Sequence, residues 1–554
     1  MQLLGALIRQ NRMRALFFYG EMQPMKIMIY DTTLRDGTQS ENVSFSVEDK
    51  LRIARRLDDL GMDYIEGGWP GSNDKDAEFF HRAREMSWRS AKLAAFGSTA
   101  HPKNQPSDDP NLSALLSAGT PAVTIFGKSW DFHVTTALRI PLAHNCEIIR
   151  ASVECLRAAG REVIYDAEHF FDGFAANSEY ALATLRAAEE GGATLLVLCD
   201  TNGGSLPEHI KSVVERVRAC TSLPIGIHAH NDGELAVANT LAAVSCGATH
   251  IQGTINGYGE RCGNANLCSI IPNLELKMGH ETIGREHLPF LAAASRFVSQ
   301  VANLPHRREM PFVGKSAFAH KGGIHVSAVL KNAATYEHIQ PEAVGNTRRV
   351  LVSELSGKSN LHYKAQEMGL DVNASDETLA AALSRIKKLE HLGYEFEAAE
   401  ASVRVLMESV AKGELDFFQI VNFRVINEMR GHGNMTSEAT VKVRIGEKVF
   451  HTVAEGDGPV HALDMALRAA LHPYFEPLSS VRLTDYKVRV LEKNTSTAAS
   501  VRVMVQQTDG EETWTTVGVS ENILEASYIA LADGVRYKLL KEKVPIPGKA
   551  QPIP

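Results

Sequence analysis

Between Lys26 and about Asn256 the chain repeats one unit: a short apolar run, a polar loop, then a longer amphipathic stretch. The apolar runs are Ile27 to Tyr30, Tyr64 to Glu66, Leu93 to Phe96, Ala122 to Phe126, Glu162 to Tyr165, Leu195 to Leu198, Pro224 to Ile227 and His250 to Ile255. Apolar residues at three- and four-residue spacing fill the stretches between them, such as Val47 to Leu60, His144 to Ala159, Ser178 to Glu190, Leu206 to Cys220 and Glu234 to Cys246. Eight such units within about 230 residues predict an α/β chain built on a closed (β/α)8 barrel, with a doubly wound open sheet as the alternative.

Barrels of this kind keep their chemistry at the C-terminal strand ends. Arg35 and Asp36 follow the first expected strand, Glu66 ends the second, Lys128 follows the fourth and Glu168 the fifth. Asp200 and Thr201 end the sixth, His228 and His230 the seventh, and Asn256 the eighth. Side chains alternate faces along a strand, so the two imidazoles point the same way. One carboxylate beside them would complete a two-histidine, one-carboxylate metal set that leaves positions open for water and substrate.

At 554 residues the chain exceeds one domain, and its hydrophobic fraction of 44% supports large cores. A net charge of -8, with no basic run, argues against a nucleic-acid partner. No apolar stretch reaches membrane-spanning length, so no membrane partner is expected. Seven cysteines without a C-x-x-C pair read as reduced thiols and a cytoplasmic enzyme. Residues 1–25 carry Arg9, Arg12 and Arg14 with no acid before Glu21. They are expected to lie outside the fold, as a targeting segment or as sequence upstream of a start at Met25.

The last part of the chain is internally duplicated. Ala439 to Ile445 parallels Ala499 to Val505, and each is followed by a second strand and a helix, Pro459 to Leu471 and Asn522 to Leu539. No metal-spaced or nucleophile-base cluster accompanies it, so it reads as a binding or assembly module. Gly257, Gly259 and Gly263 form a pliant loop whose spacing is not that of a dinucleotide fingerprint, and Ser356 to Ser359 fails as a phosphate loop because Val352 stands where a glycine is needed.

Asp31-Thr-Thr-Leu-Arg-Asp-Gly37, His228-Ala-His-Asn-Asp232 and Asn256-Gly-Tyr-Gly-Glu-Arg-Cys-Gly-Asn264 together resemble the metal-dependent acyl-CoA aldol enzymes that include 2-isopropylmalate, homocitrate and citramalate synthases. Gly67 to Asn73, Phe126 to Asp131, Tyr165 to Gly173 and Leu198 to Gly204 resemble the citramalate branch most closely. The resemblance covers nearly everything after Met25. It implies a catalytic TIM barrel over 26–297, linker subdomains over 298–415, an α+β regulatory domain over 416–545 and a tail over 546–554. The implied reaction condenses acetyl-CoA with pyruvate and hydrolyses the thioester. The implied metal is Mg or Mn, with Zn or Co as alternatives, held by Asp36, His228 and His230.

Arg35 would bind the oxo acid, and Thr201, Asn256, Gly257 and Gly259 would line the substrate. Glu168 would take the methyl proton, Asp31 would orient Arg35 or the turn rather than bind metal, and Asn264 would support the ligands rather than be one. His325 and Tyr336, in a linker shared between the subunits of a homodimer, would reach the partner's active site, and the terminal module would bind isoleucine as a feedback effector. The loops at Gly456 to Pro459 and Val517 to Glu521, before the two helices, are the expected effector contacts, with plain helix capping as the alternative. A 2-isopropylmalate synthase, a hydroxyacyl-CoA lyase and an amino-acid sensor are the rival readings.

Overall fold

The computed structural model describes residues 24–547 except 354, 368–375, 431–433 and 492–498. The expected N-terminal extension therefore lies outside the described residues up to position 23, and most of the expected tail lies outside them too. Among the described residues no helix is long and apolar enough to cross a membrane.

Eight parallel strands close into a barrel: β1 (Met28–Asp31), β2 (Tyr64–Gly68), β3 (Lys92–Ser98), β4 (Ala122–Lys128), β5 (Glu162–Glu168), β6 (Leu195–Asp200), β7 (Ile225–Ala229) and β8 (His250–Gly253). Pairing of β1 with β8, Met28 opposite His250 through Asp31 opposite Gly253, completes the ring and excludes the open sheet. Buried on both sides, these strands read as nearly continuous apolar runs. One face points outward to the helices and the other inward, where Tyr30, Tyr64, Ala94, Ala122, Ile164, Leu195, Val197 and Cys199 form a separate core.

The surrounding helices follow from local sequence. Ser46 and Asp49 make a capping box that starts Val47–Asp59, and Leu51, Ile53, Ala54 and Leu57 form its buried stripe. Asp109 caps Pro110–Ser117, with proline where a helix has no use for an N–H. The helix expected over Ser178 to Glu190 extends back to Phe170, broken at Asn177.

Contacts divide the chain into two compact units. The first runs to Phe318 and takes in Ile339–Thr347; the second comprises Ala319–His338 and everything from Arg348. Residues of the expected linker are thus shared between them.

In the second unit the duplicated module consists of two three-stranded antiparallel sheets, each followed by a helix. Strands Gln419–Arg430, Asn434–Ile445 and Lys448–Gly456 form the first, and Arg482–Val490, Val501–Thr508 and Thr513–Ser520 the second. The two segments recognised as parallel are the central strands. Each half therefore has one more strand than its sequence suggested. The extra strands lie at sheet edges, and Arg482–Val490 is mostly exposed, so neither shows the clean alternation of a half-buried strand. The module's core also begins earlier than expected: Ala401 and Val405 join Leu415, Phe417 and Phe418 within it.

Candidate metal centre at the barrel mouth

The turn after β1 delivers Asp36, and β7 delivers His228 and, one residue past its end, His230. All three are buried, and one ligand atom from each lies within 4.8 Å of the others. His228 Nε2 is 3.3 Å from Asp36 Oδ2 and 3.3 Å from His230 Nε2. Burial lowers the pKa of both imidazoles; the His230 value, pushed down further by His228, falls to about 3. Neutral imidazole is the form that binds a metal. Burial works against ionised Asp36, but the Arg35 guanidinium beside it leads the interactions that outweigh burial and hold the carboxyl below its usual range.

The groups behind the histidine fix its tautomer. Gln252 on β8 donates from Nε2 to Asp166 Oδ1 at 2.9 Å, which turns its Oε1 toward His228 Nδ1, also at 2.9 Å. An amide oxygen only accepts, so Nδ1 carries the proton and Nε2 presents a lone pair to Asp36 and His230. Three electron-rich atoms thus converge in a buried space. Asn264 Oδ1 is likewise buried with no hydrogen-bond partner among the described residues, while its Nδ2 donates to Tyr258 O at 3.3 Å. Converging donors and an unsatisfied acceptor fit a divalent cation, and an imidazole backed by a side-chain amide is a common arrangement of metal sites.

Arg35 is held beside this cluster. Its Nε donates to Glu66 Oε1 at 2.6 Å, Nη1 lies 3.6 Å from Asp36 Oδ1, and its guanidinium carbon sits 3.7 Å above the Phe96 ring. Glu66 in turn accepts from Tyr30 at 2.7 Å. Of the two roles expected for Asp31, orienting Arg35 or orienting the turn, only the second has contacts: its carboxylate accepts from Thr33 N and Oγ1, both at 2.9 Å. Burial lifts the Asp31 carboxyl to about 7, against the pull of those two bonds.

Glu168 ends β5 in an ion pair with Lys128 at the end of β4. Thr201 Oγ1 accepts from His169 N at 2.9 Å and so ties the β6 loop to the β5 loop. The Asn256 side chain bonds to residues of a later helix. β8 stops at Gly253, and a short turn carries Asn256 at φ 66°. There it donates to Ser295 O at 2.9 Å and Ser299 Oγ at 3.0 Å and accepts from Ser295 Oγ at 2.5 Å.

Gly259 and Gly263 serve the folding of their own loop. A Cβ at Gly259 would lie 2.1 Å from Asn264 Nδ2, and one at Gly263 2.0 Å from Gly257 O, both at positive φ. Gly257 belongs to the same tight turn, at φ 71°. Arg261 clamps the loop through two bonds to Asp232, 2.7 and 2.9 Å, and one of 2.7 Å to Thr201 O.

His325 and Tyr336 belong to the second unit. Both are exposed, and their rings lie 4.2 Å apart at 30°. Asp166 and Gln252 were not among the residues expected at the site, and Glu66 was placed at its strand end with no role assigned. Their signal is a polar residue at an inward position of a barrel strand, two residues along from Tyr64, Ile164 and His250.

A closed barrel with an Asp-His-His cluster at its mouth matches the HMGL-like family profile over residues 26–293, a metal-dependent class of enzymes. Two further profiles follow: the homocitrate synthase post-HMGL domain-like family over 312–393 and the LeuA allosteric (dimerisation) domain over 397–539. The chain is 54% identical over 518 residues to the (R)-citramalate synthase of Geobacter sulfurreducens, covering 93% of this chain and 98% of that protein. It is 52% identical to that of Aquifex aeolicus, with 94% and 98% covered. Identity to a probable 2-isopropylmalate synthase of Methanopyrus kandleri is 32%, with 92% and 98% covered. The chain belongs to the (R)-citramalate synthase family, within the 2-isopropylmalate and homocitrate synthase group.

Proposed function

We propose that this enzyme condenses acetyl-CoA with pyruvate and hydrolyses the thioester, releasing (R)-citramalate and CoA. The observation that carries the reading is the convergence of Asp36, His228 and His230 beside an arginine already oriented by Glu66. A divalent cation held by these three, Mg or Mn first and Zn or Co as alternatives, supplies a Lewis acid for the oxo acid's carbonyl. Arg35, planar and permanently charged, pairs with the acceptor's carboxylate or its developing alkoxide. Glu168 takes a proton from the acetyl methyl, and Lys128 beside it steadies the carboxylate. The new carbon–carbon bond joins that methyl carbon to the ketone carbon, and water then cleaves the thioester.

The walls around Arg35 favour a short acceptor. Trp69, Phe96 and Phe126 pack edge and face at centroid distances of 5.8, 5.7 and 5.5 Å, and the Phe96 ring lies under the guanidinium. Three large rings leave less room for a branched oxo acid than for pyruvate, which supports this reading over 2-isopropylmalate synthesis.

His325 and Tyr336, in ring contact and exposed, suit a role in the partner's site of a homodimer. Feedback by isoleucine is the regulation proposed for the terminal module, and seven free thiols fit a cytoplasmic setting. The test is chiral chromatography of the product from acetyl-CoA and pyruvate. (R)-citramalate in equal amount to CoA supports the assignment; its absence, with the protein folded and metal present, removes it.

A further inference from the structure

Trp69 is fixed at two points by residues that have no part in the catalytic reading. It stands three residues past Glu66, just beyond the end of β2, and is half-buried. Its backbone N–H donates to Asp76 Oδ2 at 2.9 Å, and its indole Nε1–H donates to Asn111 Oδ1 at 2.7 Å. Each anchor is itself immobilised. Asp76, buried in the first turn of helix Asp74–Ala83, pairs through Oδ1 with the buried Lys50 ammonium, which also donates to Gly67 O at 3.0 Å. Its Oδ2 accepts from Asn73 Nδ2 at 3.2 Å as well. A buried ion pair is tolerated only in a well-satisfied geometry, so this one fixes where β2 ends. Asn111, in the first turn of helix Pro110–Ser117, donates from Nδ2 to Ser98 O at 2.6 Å, at the end of β3. That bond orients the amide, and Oδ1 is the atom that faces the indole.

The held ring completes the aromatic wall. The indole meets Phe96 and Phe126 edge-on, at 84° and 82°, while those two rings stack on each other at 20°. Phe96 is the ring under the Arg35 guanidinium, so the angle of the indole governs the space next to the group that pairs with the acceptor. Ring contacts are weakly directional, whereas a hydrogen bond from a single indole N–H is strongly so. The bond to Asn111 therefore decides that angle.

We propose that Trp69 determines the size of the acceptor and that Asn111 is its positioning residue: the amide oxygen holds the indole edge-on to Phe96 and Phe126, which leaves room beside Arg35 for the methyl of pyruvate and excludes a longer chain. The inference rests on the acceptor reading of this site given above. Asp76 and Lys50 hold the backbone of the same residue, but removing either would leave the other buried and unpaired, so Asn111 is the position to change.

Water-proton relaxation of the manganese-loaded full-length protein reads oxo-acid binding without turnover. The quantity is the Kd of 2-oxobutyrate divided by that of pyruvate, in the parent, Asn111→Leu, Asn111→Asp, Trp69→Phe and the double variant Asn111→Leu with Trp69→Phe. Leucine keeps the size of Asn111 but offers no acceptor, and the ratio should fall about fivefold or more, the worth of one hydrogen bond. Asn111→Asp keeps an oxygen toward the indole and should stay within about twofold of the parent. Phenylalanine has no N–H to hold, so adding Asn111→Leu to Trp69→Phe should move the ratio by less than about twofold. A ratio unmoved in Asn111→Leu, an equal fall in Asn111→Asp, or full effects of both changes multiplying in the double variant would overturn the assignment. A merely structural role would weaken both acids alike and leave the ratio where it was. Should Asn111→Leu fail to fold, Trp69→Phe removes the same N–H, and an unmoved ratio there overturns the assignment. Tighter binding of 2-oxobutyrate than of pyruvate by the parent counts against the acceptor reading alone, because every outcome above is a change relative to the parent; a folded, manganese-loaded parent that binds neither acid would overturn both.

Discussion

Replacing Gln252 with Met keeps a side chain of similar length but removes both hydrogen bonds of the amide. Asp166 and His228 Nδ1 then stand buried without the partners they had at 2.9 Å. Each such group costs about 1–3 kcal/mol, so the metal-free protein should lose roughly 2–6 kcal/mol of stability. The imidazole also loses the acceptor that selects its tautomer. Removing a partner of this kind typically weakens metal binding by about 10–100-fold, or about 1.4–2.7 kcal/mol. Gln252→Glu keeps an oxygen facing His228 and meets an Asp166 whose carboxyl burial holds well above the usual range, so a proton is available between the two acids. That variant should recover most of the affinity. Manganese binding to metal-depleted protein, followed by competition with a chromophoric chelator, gives the affinities, and thermal melting in excess chelator gives the stabilities. A folded Gln252→Met protein that binds manganese as tightly as the parent would refute the tautomer argument, as would a Glu variant no better than Met.

Glu66→Gln removes the charge that orients Arg35 and should cut kcat/KM for the oxo acid by about 10–100-fold, the worth of one charge-assisted hydrogen bond; unchanged steady-state kinetics would contradict it. Asn256→Ala should lower stability by about 2–3 kcal/mol in urea unfolding while KM for the oxo acid stays within about twofold, because the bonds it loses are to Ser295 and Ser299. A raised KM at unchanged stability would restore Asn256 to the substrate.

His250, buried inside the barrel, has its pKa lowered by burial to about 3. The unfolded chain, with a value of about 6.5, therefore binds the extra proton, and this stability is full above about pH 6.5 and lost as pH falls toward 3. The stability difference between the parent and His250→Leu should shrink by about 2 kcal/mol from pH 6.5 to 5, measured by urea unfolding in excess chelator; a constant difference would show that the imidazole is not held neutral.

The barrel and the common face of His228 and His230 were legible because both rest on short-range pattern. Period-two strands and period-three-to-four helices announce themselves, and His228 and His230 share a face by strand geometry alone. What escaped depends on direction rather than spacing. Asn256 follows β8 as expected, but a positive-φ turn points it at the helix Leu291–Val301. Asp166 and Gln252 lie on strands read mainly for their apolar content, and only closure of the ring makes inward neighbours of residues 86 positions apart. Arg35 looked as if Asp31 could hold it, being close in sequence; Glu66 holds it from the next strand. The outer strands of the duplicated module were missed because edge strands carry polar residues on both faces.

Metal-depleted protein refilled with manganese or magnesium, assayed for release of CoA thiol from acetyl-CoA with pyruvate and with 2-oxoisovalerate, tests the central claim most directly. Metal-dependent release with kcat/KM clearly higher for pyruvate is expected, and none above background in His228→Ala. Preference for 2-oxoisovalerate, full activity without metal, or an active His228→Ala enzyme would contradict it.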